Sequence, residues 1–146
     1  MKLAFVVPII SSLHSRKKCL SATSNRITEG VEYDTMAREW VATYSLDGDQ
    51  SSLVACQLAL ESVVEDINEV EGVKSIQRLI CQDDMEFRVI TNVDATKFQD
   101  WKKDDFFPED VFFEMLSVID GVKDVKARTS TMVLNVESVD FEDDDE

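Results

Sequence analysis

The chain has 146 residues, of which 44% are hydrophobic, and its 15 basic and 30 acidic residues give a formal net charge of -15. This length accommodates one ordinary domain with a core, and the charge content is too high for an integral membrane protein. The acidic balance also disfavours nucleic-acid binding, because a negative surface repels the phosphates that dominate such affinity.

The start of the chain differs sharply in charge from the remainder. Residues 1–28 contain five basic residues and no acid, whereas residues 29–146 contain all 30 acids. Residues 3–10 form an apolar run that suits a signal-peptide core, and residues 11–28 have the composition of a transit peptide. Together they resemble the two-part presequences of algal plastids acquired by secondary endosymbiosis. We predict a targeting presequence over residues 1–28, with a plastid as the favoured destination. A secretory or mitochondrial destination and a plain basic tail are the alternatives.

Removal of this segment would also remove His14, the only histidine. Histidine is the usual general base and a common metal ligand, so the mature chain would lack Ser-His, Cys-His and His-metal sites. Cys56 and Cys81 lie 25 residues apart, which is not the spacing of a zinc or iron–sulfur site. We expect no catalytic residue, no metal and no cofactor, and we predict that both cysteines are small core residues.

The first predicted elements are a strand and a long helix. Residues 38–45 alternate and are rich in strand-forming side chains. A turn over residues 46–49 follows, and Asp49 or Ser51 can cap the next helix. Gly72 is expected to end that helix, because glycine adopts left-handed backbone angles without a side-chain clash. Its apolar stripe consists of Leu53, Cys56, Leu60, Val63, Val64 and Ile67.

A hairpin comes next. The second and third strands are predicted over residues 74–81 and 85–93, joined by a tight turn. Alternation is clearest in the third strand, where Phe87 lies on the face opposite Glu86 and Arg88. The apolar face of that strand must point into the core.

The last predicted elements are two helices and a strand. Asp94 can cap a short helix, and Pro108 suits the first turn of a longer helix over residues 109–119. Gly121 is expected to end the longer helix. Residues 125–136 then form a long last strand.

The sequence around the two helix-ending glycines repeats. Residues 70–76 (VEGVKSI) return 49 residues later as residues 119–125 (IDGVKDV), and each copy follows a helical pattern and precedes a strand. The repeat and the element order predict an α+β ferredoxin-like fold, β-α-β-β-α-β, with a four-stranded antiparallel sheet in the order 4-1-3-2 and helices on one face. We assign this domain to residues 38–137, after a linker over residues 29–37 and before an acidic disordered tail over residues 138–146.

Residues 38–137 resemble the effector-binding domain of leucine-responsive regulatory proteins and, more widely, the ferredoxin-like dimeric α/β-barrel superfamily. The shared features are a hairpin leading into the strand at residues 87–90, the motif IDGV at residues 119–122, and Thr129 and Thr131 in the last strand. The resemblance implies a homodimer that packs two helix-free sheet faces, often with a pocket between the subunits. The sequence matches neither that family's ligand loop nor its helix-turn-helix, so transcriptional control is not supported.

The helix-free sheet face is the predicted ligand-binding surface. Arg88 and Glu86 are expected there with Arg128, and Arg78 joins them if the second strand alternates in the same way. Arginine binds carboxylates and phosphates through two parallel hydrogen bonds, so these residues indicate a small anionic ligand. The alternative is cross-strand ion pairing with nearby acids.

Six aromatic side chains crowd residues 98–113, more than one helix face can bury. The short helix and the following loop therefore either fold back as a lid over the longer helix or form a docking patch for a partner. The predicted contacts of such a patch are Trp101, Phe106 and Phe107.

Three functional hypotheses follow. The first is a non-catalytic binding, assembly or regulatory module that dimerises through the helix-free face or a sheet edge. The second is a cofactor-free monooxygenase or isomerase of the dimeric-barrel type. Its pocket between subunits would be lined by Tyr44, Trp40, Arg88 and Glu86. The third is a soluble accessory partner of an organellar photosynthetic complex, which depends on the presequence alone.

Overall fold

The structure is a computed structural model that describes residues 25–133, apart from the side chains of Asp49 and Gln50. The predicted acidic tail and the predicted presequence up to residue 24 lie outside the described residues, so both stay predictions. Within the described range, the strands and helices are β1 (Asn25–Thr28), β2 (Val31–Thr43), α1 (Asp47–Asn68), β3 (Val73–Cys81), β4 (Glu86–Asp94), α2 (Ala95–Lys103), α3 (Glu109–Ser117) and β5 (Lys123–Val133).

All described strands belong to one sheet with antiparallel pairing. Strand β2 lies in the centre and pairs with β4 on one side and with β5 on the other, while β3 pairs with the outer edge of β4. The order β5-β2-β4-β3 is the predicted order 4-1-3-2, and the described helices pack on one face. The chain therefore has the predicted α+β ferredoxin-like fold.

The first core strand is longer than predicted. Strand β2 begins at Val31 rather than at residue 38, and β1 pairs back on it as a hairpin whose turn contains Gly30 with a φ of 77°. Most of the predicted linker is therefore sheet. Two of its polar residues are satisfied there, because Thr35 donates a hydrogen bond to Asp34 at 2.8 Å and accepts one from Lys74 at 2.6 Å.

Helix α1 begins at Asp47 with Leu46 at the N-cap position, so the prediction that Asp49 or Ser51 caps it is wrong, because both lie within the helix. Ser52 in the first turn ties the helix to the chain that leaves β2. The Ser52 hydroxyl accepts from the Ser45 backbone N–H at 2.9 Å and donates to the Ser45 carbonyl at 2.9 Å. The Ser45 hydroxyl in turn accepts from the Asp47 backbone N–H at 3.1 Å, which satisfies one of the free donors of the first helical turn.

The two later helices agree with their predicted starts. The Asp94 carboxylate caps α2 by accepting from the Thr96 backbone N–H at 2.9 Å. Helix α3 follows Pro108 as predicted and ends at Ser117, two residues earlier than expected. A turn over residues 118–122 then leads into β5.

The sequence repeat is also a structural repeat. Gly72 and Gly121 have φ angles of 89° and 90°. In each turn the residue two positions before the glycine donates its N–H to the carbonyl three positions earlier, at 3.1 Å in the first copy and 3.2 Å in the second. A Cβ at Gly72 would lie 2.7 Å from the Cβ of Lys97, and one at Gly121 would lie 2.9 Å from the Cβ of Ser45. Only glycine fits either turn without displacing its neighbour.

The core lies between the sheet and the helices. Trp40 of β2 stacks on Phe112 of α3 with ring centroids 5.1 Å apart, and Phe87 of β4 is fully buried beside them. Cys56 of α1 belongs to this core, and burial raises the pKa of its thiol to about 11. The core prediction is therefore right for Cys56 and wrong for Cys81, which is half-exposed at the end of β3.

Candidate functional site

The helix-free face of the sheet, called the open face below, is defined by the alternation of side chains along the paired strands. In the observed register Glu39 of β2 lies opposite Ile90 of β4 and opposite Arg128 of β5, which sets the residues that share this face. Its members from β2, β4, β5 and β3 are Thr35, Ala37, Glu39, Val41, Thr43, Glu86, Arg88, Ile90, Asn92, Lys126, Arg128, Ser130, Met132, Ser75, Gln77 and Leu79.

Glu39 is at the centre of the open face, and only 7% of its side chain is exposed. Arg88 Nη1 donates to Glu39 Oε1 at 3.0 Å, and Arg128 Nε donates to Glu39 Oε2. Arg88 also donates to Glu86 Oε2, from Nε at 2.8 Å and from Nη2 at 2.7 Å. The four side chains form a continuous series of ion pairs, Glu86–Arg88–Glu39–Arg128, called the charge ladder below.

The charge ladder engages the donors of Arg88 that an anionic ligand would need. All three guanidinium nitrogens of Arg88 donate to Glu86 or Glu39. The hydrogen bond to Glu86 raises the pKa of Arg88 and outweighs burial, which lowers it. A small anion would have to displace a carboxylate to bind there. The geometry therefore matches the ion-pairing alternative given above for these arginines.

Arg78 does not join the open face. The register between β3 and β4 shifts between Val73 and Ser75, and this irregularity places Arg78 opposite Val89, on the helix face. There its guanidinium donates to Gln57 Oε1 of α1. The expected grouping of Arg78 with Arg88 is wrong because an irregularity of one residue reverses the face of every later side chain.

Trp40 and Tyr44 also lie on the helix face, and both are buried in the core. Trp40 Nε1 donates to Glu109 Oε2 at 2.7 Å. Arg38, on the same face of β2, donates to the same carboxylate from Nε and Nη2, each at 2.8 Å. The Arg38 guanidinium carbon also lies 3.8 Å from the centroid of the Phe106 ring. Trp40 and Tyr44 therefore cannot line a pocket with Arg88, from which the sheet separates them.

Glu109 was missed by the sequence reasoning, although it accepts three hydrogen bonds from β2. The available signal was its place in the first turn of α3, where an acidic side chain interacts favourably with the helix dipole. That position does not indicate which residue pairs with Glu109. Arg38 and Glu109 are 71 residues apart, so only the fold brings them together.

The aromatic segment folds back as a lid, and its rings are mostly core. Trp101 and Phe106 are buried and meet edge to face with centroids 5.1 Å apart, while Phe98 packs against both. Trp101 Nε1 donates to the carbonyl of Phe107 at 2.8 Å. Of the three predicted docking residues only Phe107 has an accessible ring, with 43% of the residue exposed.

Two concave regions lie outside the open face. One, of about 660 Å³, is at the end of the sheet between Tyr44, Asp84 and Lys123. The other, of about 300 Å³, lies between α1 and α2. Its lining residues are Asp66, Glu69, Val70, Glu71, Lys97, Asp100, Trp101, Asp104 and Phe107.

Across residues 25–133, no helix is both long enough and apolar enough to cross a bilayer. The same part of the chain holds no group of three or more His, Cys, Asp or Glu side chains placed to bind a metal ion.

Comparison with known proteins finds similarity in structure only. No family model matches the chain, and no curated protein sequence matches it. Among solved structures, the chain is similar to Rv0793 from Mycobacterium tuberculosis, with 10% identity over 70% of this chain and 99% of that one and a TM-score of 0.49. It is similar to the ActVA-Orf6 monooxygenase of Streptomyces coelicolor in complex with nanaomycin D, with 20% identity over 68% and 88% of the two chains and a TM-score of 0.48.

A third similar structure is a dimeric ferredoxin-like protein from an uncultured marine organism, with 16% identity over 70% of this chain and 99% of that one and a TM-score of 0.42. The resemblance to leucine-responsive regulators is not confirmed by these comparisons. At TM-scores below 0.5 these similarities carry no argument about this chain, and its ferredoxin-like fold rests on the strand order described above.

Proposed function

We propose that the chain is a small non-catalytic assembly module that forms a homodimer by packing the open faces of two copies against each other. The observation that carries this proposal is the charge ladder. It satisfies Arg88 and Glu39 within one copy, so the face does not need a small ligand to neutralise it.

Charge balance favours a second copy as the occupant. Each chain carries a net charge of -15, so two copies repel each other over most of their surfaces. The open face is different, because its acids Glu39 and Glu86 are balanced by Arg88, Arg128 and Lys126. In a two-fold interface each patch meets its own counterpart, and a patch of mixed sign can complement itself.

The face also has about the size of such an interface and carries exposed apolar side chains near its edges. Residues rise about 3.3 Å along a strand, and neighbouring strands lie about 4.8 Å apart. Four strands of this length therefore present a face of roughly 600–800 Å². A standard interface buries about 800 Å² per partner. Leu79 and Met132 are exposed near the two edges of this face. Covering these side chains would stabilise the dimer.

The enzyme hypothesis lacks this support. It requires Trp40 and Tyr44 to share a pocket with Arg88 and Glu86, and the sheet separates the two pairs. The monooxygenase activity named for one similar structure is a property of that protein. Delivery to a plastid and a photosynthetic partner stay proposals from the sequence, which N-terminal sequencing of the protein isolated from its source cells would check.

Sedimentation equilibrium tests the dimer. We expect the wild-type chain to dimerise and the variant with Lys126→Glu and Ser130→Glu on the open face to bind itself about tenfold or more weakly, because these changes add like charges to the patch. The matched control is Lys102→Glu with Gln99→Glu on α2, which changes the charge equally on the helix side. A wild-type chain that stays monomeric, or equal weakening by both variants, would contradict the proposal.

A further inference from the structure

The outer edge of β3 is a free strand edge. Strand β3 is hydrogen-bonded to β4 on one side, and no strand among the described residues pairs with its other side. Gln77, Arg78, Leu79 and Ile80 are all exposed, so the second half of this edge is uncovered. In an antiparallel strand every second residue directs its N–H and C=O away from its only neighbour. These groups, with the apolar side chains of Leu79 and Ile80, make the edge a template for another strand.

One side of α1 lies along this edge. The Arg78 guanidinium donates to Gln57 Oε1, and Gln57 Nε2 donates to Glu61 Oε1 at 3.0 Å. These three side chains form a hydrogen-bonded series with a positive end and a negative end, called the edge series below. Leu53 and Val64 lie on the same side of the helix, one turn before and one turn after, and both are half-buried. The flank beside the free edge therefore combines opposite charges with partly exposed apolar side chains.

The helix and the strand are in matching positions along this flank. Helix α1 connects β2 to β3, which are parallel because each pairs antiparallel with β4, so α1 runs in the opposite direction to β3. Two residues of a strand span about 6.6 Å, and four residues of a helix span about 6 Å. Because Arg78 contacts Gln57, this spacing brings Glu61 alongside Ile76, the preceding residue on the same face of β3.

We propose that the free edge of β3 pairs antiparallel with the same edge of a second copy of the chain, across a two-fold axis that passes through Gln77. The axis is perpendicular to the sheet, so the sheet continues from one copy into the other and the two α1 helices lie side by side. The occupant is a second copy because the edge series is complementary to itself. In the paired state Arg78 lies opposite Ile76 of the second copy, and therefore within reach of the second copy's Glu61.

Charge selects this register among the alternatives. Pairing about Gln77 places Arg78 opposite Ile76 and Lys74 opposite Ile80, so no two basic side chains of β3 face each other. An axis through Ile76 would place Arg78 opposite Lys74, and an axis through Arg78 would place two arginines opposite each other. Like charges directly opposite in a sheet are destabilising, whereas opposite charges stabilise the pairing.

The edge pairing is separate from the open-face dimer of the proposed function and goes beyond it. The open face meets its partner above the sheet, whereas the β3 edge meets its partner in the plane of the sheet, so both contacts can form together. The 9 residues of β3 with the adjoining flank of α1 cover roughly 300–450 Å² per copy, which is the size of a weak, transient interface. Open-face dimers therefore join through their β3 edges at high protein concentration, into tetramers or longer assemblies.

Two charge-reversal variants test the edge pairing. The parent is the full chain with Lys126→Glu and Ser130→Glu, in which association through the open face is weakened, so that the edge is measured apart from it. On this parent Arg78→Glu sets acids against each other across the axis, and Glu61→Arg sets bases against each other. Each variant alone should associate about tenfold more weakly than the parent.

An equimolar mixture of the two variants restores opposite charges at both contacts and should associate at least as tightly as the parent. Sedimentation equilibrium at protein concentrations up to about 1 mM measures the parent, each variant and the mixture, because an interface of this size associates weakly. The matched control is Lys103→Glu on α2, which reverses one exposed charge away from the edge and should associate as the parent does. Thermal melts verify that each variant is folded.

Two results would overturn the edge pairing. One is a parent that stays monomeric at the highest concentration, and the other is a mixture that associates no more tightly than its single variants. Failure of the open-face dimer has a different signature, because the wild type and the parent would then associate equally. The two interfaces are therefore judged independently in the same set of measurements.

Discussion

The two faces of the sheet use arginine–carboxylate pairs for different purposes. On the helix face, Arg38 joins the central strand to Glu109 of α3, and each of these side chains is 15% exposed. On the open face, Arg88 and Arg128 share Glu39 and link only neighbouring strands of the sheet. An arginine–carboxylate pair therefore attaches a helix to the sheet on one face and links neighbouring strands on the other.

The partner element, rather than the number of ion pairs, decides what an arginine contributes to stability. Arg38 forms a two-pronged bond to a carboxylate that Trp40 also uses, so its loss would leave a half-buried acid with one donor. Arg128 is well exposed and its carboxylate keeps Arg88 as a second partner. The two faces should therefore respond differently to matched substitutions.

The largest difference in stability is expected between substitutions of two residues of β4 that lie on opposite faces. Phe87→Ala on the helix face should lower the free energy of unfolding by about 3–5 kcal/mol, because it leaves a cavity among core rings. Ile90→Ala on the open face removes a half-buried side chain and should cost the monomer about 1 kcal/mol. Urea denaturation at several protein concentrations measures both, and equal losses would mean that the open face is packed like the core.

The next difference compares the arginines themselves. Arg38→Ala should destabilise the chain by about 2 kcal/mol, since hydrogen bonds to charged groups contribute about 1.5–3 kcal/mol. Arg128→Ala should cost under about 1 kcal/mol, as exposed ion pairs do. Arg38→Lys is the control, because it keeps the charge and loses the fork that contacts both oxygens of Glu109. Full retention of stability in Arg38→Ala would remove the role proposed for this pair.

The smallest effect concerns pH and the cap of α2. Burial works to raise the pKa of Asp94, but hydrogen bonds from Thr96 and the charges of Lys74 and Lys97 outweigh it, so its pKa is lowered. The stabilisation is therefore fully present above the ordinary pKa of 3.8 and is lost as the pH falls through the lowered value.

Asp94→Ala should accordingly cost about 1 kcal/mol at neutral pH, a typical value for a lost helix cap. The difference from the wild type should shrink as the medium becomes more acidic than the ordinary carboxyl pKa. Denaturation curves over this pH range provide the measurement, and a difference that stays constant would show that the carboxylate does not stabilise the helix through its charge.

The topology could be predicted because its signals are local. Gly72 and Gly121 do not end the helices, which stop at Asn68 and Ser117, but they lie in the turns that follow, in a conformation that other residues avoid. Phe87 alternates cleanly with Glu86 and Arg88. These features specify the order of the elements without any knowledge of distant contacts.

The sites could be predicted only in part, because side-chain partners depend on register and on distant residues. Strand β2 is apolar on both faces, with Trp40 and Val41 both buried, so its alternation does not reveal which face meets the helices. A one-residue irregularity in the pairing of β3 places Arg78 on the helix face, where the sequence pattern does not predict it. The partnership of Arg38 and Glu109 exists only once the fold has formed.

The strand order has one more consequence. The first copy of the repeat supplies β2 and β3, the second supplies β4 and β5, and the order β5-β2-β4-β3 alternates between them. Every antiparallel pairing among these four strands therefore joins one copy of the repeat to the other. A solitary β-α-β unit would have no adjacent strand of its own, so an ancestor with one copy could have built this sheet only from two separate polypeptides. Fusion of two such genes would turn that subunit boundary into the intramolecular pairing seen here.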